Sequence, residues 1–554
     1  MPRDFTDNSW QRTELKNFGL GLWDESVVSR AHIEDGACIS AQDVEWLPKG
    51  GMTKRSGIQR LNSTSVTGTP SVLQIYQWQT NAGSDVILAF MDQSACWSSS
   101  GVYVFNIASE AGSSSFSPVS GDSALCVGWQ PTGLQQISCA SFLGSAVFTY
   151  GDSLGSIQVY AGGTLGTDGM TGMKASPSGC YCVETWGNFL LAANTSNGTS
   201  RVEWCYPGNP WANPLSSGAG DATQWPSSYY LDLDPDDGDA IVAMKAFQDS
   251  IVVFKRYKMY QVNWVGGVNL FDYRRISTEI GCNGADALCE HEGKLWWLGP
   301  RGFYVWDGSQ APEDLSMAIN PQIVNIDSSY AHNCFVRPYK KNNQIFVAIP
   351  TTSSTKFDVI YVYDYTLNSW TTFNISARCL ALVRESTTKT FASFPTSYAD
   401  WDETISSTSK RGADLIAIGY DAGLIKSYGV GTSDDGADID AYWKSGWLDW
   451  DMPERNKRVT RITYLVSVQG SVDYSLDVQM YKDWAWEADT YSKQSTISLY
   501  EATTVSDRIV ERRWDQSLYL RSLQLKLGTN LASEPFTVHK IVIDWVAKGR
   551  TQGS

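Results

Sequence analysis

The chain has 554 residues, with 43 Lys+Arg against 59 Asp+Glu, a formal net charge of −16. That length exceeds one ordinary core and predicts roughly two to four domains. The acidic balance argues against a protein that grips nucleic acid, whose footprint is basic; it fits either an acidic surface that maintains solubility or a wall that repels passing phosphates.

A hydrophobic fraction of 42% with 12% aromatic residues supports a globular protein, and the 47 glycines and 23 tryptophans suit many turns between aromatic-rich strands. Eleven cysteines are scattered without regular spacing. The closest pair, Cys180 and Cys182, alternates along one strand, and only His32, His291, His332 and His539 are available as company. Neither zinc spacing nor a disulfide framework results, so the expectation is structural thiols in a reducing compartment. Met1-Pro2-Arg3-Asp4-Phe5 opens no apolar signal run and no stretch reaches membrane length, so the expectation is a soluble chain that stays in the cytoplasm where it is made. There, an acceptor-like Asn194-Thr195-Ser196 would carry no meaning.

In chain order, residues 1–70 read as irregular and polar, a segment suited to docking, anchored by Leu22-Trp23 and by Val44-Glu45-Trp46. Gly50-Gly51-Met52-Thr53-Lys54-Arg55-Ser56-Gly57 is a glycine-bounded basic turn lacking the Gly-Lys-Ser/Thr end of a phosphate loop. From Ser71 to residue 430, short β-branched and aromatic runs recur in units of about 40–50 residues, within the range of propeller repeats. The clearest unit spans 241–308, where Ile251-Val252-Val253-Phe254 and Leu295-Trp296-Trp297-Leu298 stand between polar turns. Residues 316–320 are expected to form one helical turn before Pro321. Residues 431–440 read as a linker. Five longer alternating segments follow in 441–548, one of them running unbroken over 518–527, and predict a β-sandwich. The expected fold is all-β: a β-propeller body of six or seven blades with a C-terminal β-sandwich domain.

Catalytic patterns are sparse. No Gly-x-Ser-x-Gly elbow or His-Glu-x-x-His pair occurs. Glu184 and Glu203 fall in one repeat and are the candidate acid pair of a glycosidase. The acidic run from Asp232 to Asp239 invites a calcium reading, but Ala243 stands where a twelve-residue loop needs its closing Glu, which leaves a solvated turn. The expectation is no cofactor, no metal and no catalysis.

Taken in order, several segments resemble the tail nozzle proteins of short-tailed bacteriophages, including tail accessory factors and tail tubular B-like proteins. They are the Lys54-Arg55-Ser56-Gly57 turn, the Trp204-Cys205-Tyr206-Pro207-Gly208-Asn209-Pro210-Trp211 segment, the strand–turn–strand unit of 241–260, Gly281-Cys282, the hairpin from Tyr361 to Trp370, and the all-β C-terminal region. The resemblance implies a structural virion protein, a homohexamer around a sixfold channel. An adaptor ring would sit above it and fibres, needle or tip below. Double-stranded DNA would pass through without sequence-specific binding, with host envelope contact at the tip. Such a protein retains packaged DNA and gates its ejection, located in the virion tail after assembly in the host cytoplasm. Arg55, Trp211 and Asp237 are the candidate interface or channel-loop residues, with an ordinary turn or a packed ring as the other reading of each. A carbohydrate-active β-propeller enzyme and a tail-tip or baseplate hub of a long-tailed phage are the alternatives.

Overall fold

The computed structural model describes residues 10–24, 33–62, 69–80, 85–92, 102–106, 114–118, 136–149, 157–160, 179–209, 225–267, 270–351, 354–384, 414–468, 474–483, 491–499, 508–531 and 534–548. Strands dominate them. In the unit read most clearly from sequence, Ile241–Phe247, Ser250–Lys255, Met259–Trp264 and Phe271–Ser277 form an antiparallel four-stranded sheet. Ile251 and Val253 pack into one apolar cluster, Val252 and Phe254 into another. Both faces of this strand are therefore covered, which explains a continuous apolar run where a half-wet strand would alternate. The fourth strand went unread because its exposed positions carry Asp272, Arg274 and Arg275.

Other hairpin units form further open sheets of three or four strands. One comprises Cys182–Trp186, Phe189–Thr195, Gly198–Trp204 and Tyr230–Asp232; another comprises Leu288–His291, Lys294–Leu298, Phe303–Trp306 and Glu313–Asp314. Residues 316–319 form no helix. A five-residue helix instead begins at Asn320 and takes Pro321 into its first turn, where a missing N–H costs nothing.

The expected propeller body with a separate C-terminal sandwich is not the architecture. Among the described residues the strands form eight separate sheets whose ladders run open-ended, and they are not closed into a barrel or propeller. One of them crosses the expected domain boundary. The hairpins Phe335–Tyr339, Gln344–Ile349, Val359–Asp364 and Ser369–Phe373, expected as one blade, continue through Cys38–Gln42 into Ala441–Ser445, Leu523–Thr529, Ser475–Lys482 and Lys493–Ser498, making nine strands. The physical reason is long-range pairing: Cys38–Gln42 lies antiparallel to Ala441–Ser445 and touches Ser369–Phe373 in parallel through Gln42 and Thr372.

Among its described residues the N-terminal segment, expected to be irregular, supplies five short strands to three sheets. Trp10–Leu15 pairs with Thr537–Ala547, Met52–Lys54 meets the other end of that strand, and Ile58–Arg60 extends the sheet of Cys379–Arg384, Asp414–Gly419 and Ile425–Tyr428. The single strand expected over 518–527 is two. Ile509–Leu520 belongs to a six-stranded sheet and Leu523–Thr529 to the nine-stranded one, with the chain crossing at Arg521 and Ser522. A continuous core joins these two sheets, with Val459, Ile462, Ile543, Leu476, Val478 and Leu525 among its members.

Candidate functional site

Two charged assemblies stand out, and each contains a residue singled out from the sequence. The first surrounds Arg55, which follows strand Met52–Lys54 and whose residue is 2% exposed. Its Nε donates to Asp43 Oδ1 at 2.6 Å; Nη1 and Nη2 donate to Asp434 Oδ1 and Oδ2 at 2.9 and 2.6 Å. The guanidinium also lies 5.7 Å from the Phe373 ring centroid. Burial disfavours its charge, but the fork on Asp434 and the charge of Asp43 outweigh that and hold it protonated. Nearby, Tyr428 donates to Glu45 Oε1 at 2.6 Å and Asn342 donates to Oε2 at 3.1 Å, while burial pushes the Glu45 carboxyl up. Arg55 is thus an interior tie and not an exposed loop contact. Gly57 closes the turn because a Cβ there would stand 2.2 Å from the Ser433 carbonyl oxygen.

The second assembly is the acidic turn. Arg201 forks onto Asp232 at 2.7 and 2.9 Å. Asp234, at φ +43°, accepts from Tyr260, Tyr273 and Arg275 at 2.9, 3.1 and 3.0 Å. Asp237 accepts from Lys255 and Lys258, both at 2.7 Å, and Asp239 accepts from the backbone N–H groups of Arg256 and Tyr257. Burial raises the Asp237 carboxyl, yet the two lysines overcome it and hold it at about 2. The turn is not simply solvated: its carboxylates cap a cationic and hydroxyl-rich sheet edge. Lys255, whose side chain is fully buried, is the residue that sequence reasoning missed. Its signal was present: it continues the inward alternation of Ile251 and Val253, and a lysine on such a face needs an acid partner.

Trp211 lies outside the described residues. Glu184 and Glu203 are not brought together. Glu184 stands opposite Leu191 and Glu203 opposite Ala192, successive positions of the strand between them, so the two carboxylates leave opposite faces of the sheet. Glu184 accepts from Lys245 at 3.2 Å, and Glu203 accepts from Thr195 and Asn197 at 3.0 and 2.9 Å. Among the described residues no group of three or more His, Cys, Asp and Glu is placed to hold a metal, and the nine described cysteines are free thiols.

No protein-family model matches the chain, and no curated protein matches it in sequence. Solved structures with a remote likeness include the WD40 β-propeller domain of Doa1, 7% identical with a TM-score of 0.35 over 68% of this chain and 97% of that one. Another is an exo-β-1,3-galactanase from Phanerochaete chrysosporium, at 9% identity and TM-score 0.25 over 75% and 96% of the two chains. A third is the SapL1 lectin with α-methyl fucoside, at 11% and 0.30 over 57% and 94%. Likeness at this level carries no argument about activity. These proteins include no virion component, so the expectation of a propeller-bodied phage tail protein draws nothing from them, and the open sheets overturn its propeller element.

Proposed function

We propose that the chain is a structural assembly subunit of the tail-nozzle kind, whose copies form the wall of a channel that retains and then releases double-stranded DNA. The observation that carries this reading is the Arg55 tie. The Lys54-Arg55-Ser56-Gly57 turn, one of the segments behind the resemblance, joins residues 379 positions apart and stands among three sheets. A wall exposed to the pressure of packaged DNA needs its sheets held against shear, and buried charge-assisted bonds between distant segments supply that resistance. The charge of −16 adds to it, because a conduit for a polyanion works by repelling it. Copies of the chain, an adaptor ring and distal fibres or a tip are the partners this reading names.

The carbohydrate-active alternative requires two carboxylates flanking one bond, and the pair read from the sequence points to opposite faces. Electron cryo-microscopy of the purified chain, with its mass in solution, tests the proposal. A closed ring with a channel wide enough for duplex DNA supports it. A stable monomer that hydrolyses glycosides overturns it.

A further inference from the structure

The nine-stranded sheet carries a notch on its outer face that the nozzle reading does not use. Leu476, Val478, Leu525, Leu527, Ala441 and Trp443 point inward to the core. Their alternate neighbours on the same three strands point outward, and six of the notch residues, Asp440, Tyr442, Asp477, Gln479, Lys526 and Asn530, line a hollow of about 160 Å³. Gly528 makes the hollow. It pairs with Asp477 on one side and Tyr442 on the other, so a gap stands in the row between a carboxylate and a phenol. A Cβ at Gly528 would lie 2.3 Å from the Ala441 carbonyl oxygen and 2.7 Å from Tyr442 Cβ, so no other residue fits that strand spacing.

The lining is tied by hydrogen bonds and mixed in hydrogen-bonding sense. Tyr442 shares a 3.2 Å hydrogen bond with Ser40, and Lys526 Nζ rests 4.2 Å from the Tyr442 ring centroid, so the ring forms one wall of the notch. Asp477 accepts from Thr496 at 2.9 Å, which fixes its carboxylate. Gln479 Oε1 accepts from Tyr481 at 2.9 Å, which turns its amide so that Nε2 remains as a donor. Two carboxylates against one ammonium disfavour phosphate, sulfate and nucleic acid, and the single ammonium among them disfavours a divalent cation. Several donors and acceptors beside one aromatic wall, in a space far below that of a drug-sized pocket, match a neutral ring bearing many hydroxyls. We propose that this notch binds one pyranose unit of a neutral saccharide. The notch is remote in sequence from the Arg55 turn, and its occupancy does not require ring assembly.

Saturation-transfer NMR on the full chain, with methyl α-D-mannopyranoside, methyl β-D-glucopyranoside and methyl β-D-galactopyranoside as probes and glycerol as the polyol control, tests this. The expected result is transfer to at least one glycoside and none to glycerol. Asp477→Ala and Gln479→Ala, each with an unchanged far-ultraviolet spectrum, should weaken that glycoside about tenfold or more. Glu184→Gln, in another sheet, should leave it unchanged. Absence of transfer to all three glycosides at millimolar concentration overturns the proposal. So does equal transfer to glycerol, or binding that survives both notch substitutions. Should either notch variant lose its fold, competition of the wild-type signal by inorganic phosphate replaces it: displacement would mark an anion site and overturn the assignment.

Discussion

Arg55 and Asp434 stand 379 positions apart in sequence and are joined side by side by two hydrogen bonds of 2.9 and 2.6 Å. Asp43 holds the same guanidinium from its other edge at 2.6 Å. Arg55→Met should cost about 3–5 kcal/mol, because it leaves the buried Asp43 and the partly buried Asp434 facing an apolar side chain without a cation. Arg55→Lys should recover only part of this, since an ammonium cannot fork onto Asp434 while reaching Asp43. Urea unfolding of both variants measures the difference; equal stability of wild type and Arg55→Met would remove the tie from the account.

Gly57→Ala tests the same node through sterics. The added methyl meets the Ser433 carbonyl oxygen at 2.2 Å, and backbone cannot swing away as a side-chain end can. The expected loss is about 1–3 kcal/mol, the usual range for overpacking. Differential scanning calorimetry reads it directly, and an unchanged Tm would show that the turn relaxes freely.

Asp237 predicts an acid limb. Its folded pKa, about 2, lies below an unfolded value near 3.8, so its contribution is fully present above about pH 4 and is lost as pH falls through about 2. Solvent screening at this turn reduces its size to about 1 kcal/mol. Thermal unfolding followed from pH 5 to pH 2 should therefore fall more steeply for wild type than for Asp237→Asn, which begins less stable. Parallel curves would assign the acid limb to other carboxylates.

The thiols give a chemical check. Burial pushes Cys205 up to about 11 and Cys282 and Cys289 up to about 12, so little thiolate exists near neutrality. Nine of the eleven cysteines are described; eight of them are buried and Cys139 is half-buried. Titration of the native chain with Ellman's reagent at pH 8 should show at most the remaining two reacting promptly, and all eleven after denaturation. Prompt reaction of more would contradict the packing around these strands.

Much of the secondary structure was legible because apolar alternation and turn residues are local. The hairpins at 241–264 and 344–373 appear where Ile251, Phe254, Ile345 and Trp370 announced them. The break at Arg521 and Ser522 was not legible, since alternation continues through it and only membership in two different sheets reveals it. The candidate site fared similarly. Asp237 was visible as an acid in a turn, but Lys255 and Lys258 come from elsewhere in the sheet, and their approach converts a solvated turn into a cap.

Sequence alone determined that this is a β-rich, acidic chain with its apolar residues set at strand spacing, because side-chain period and net charge are properties of neighbours along the chain. Only the tertiary structure decided which strands share a sheet. Cys38–Gln42 bridges the hairpins of 335–373 to the C-terminal strands, and Arg55 lies buried between two acids. Backbone hydrogen bonds are alike for every strand, so partner choice rests on long-range packing and on buried charges that must find one another.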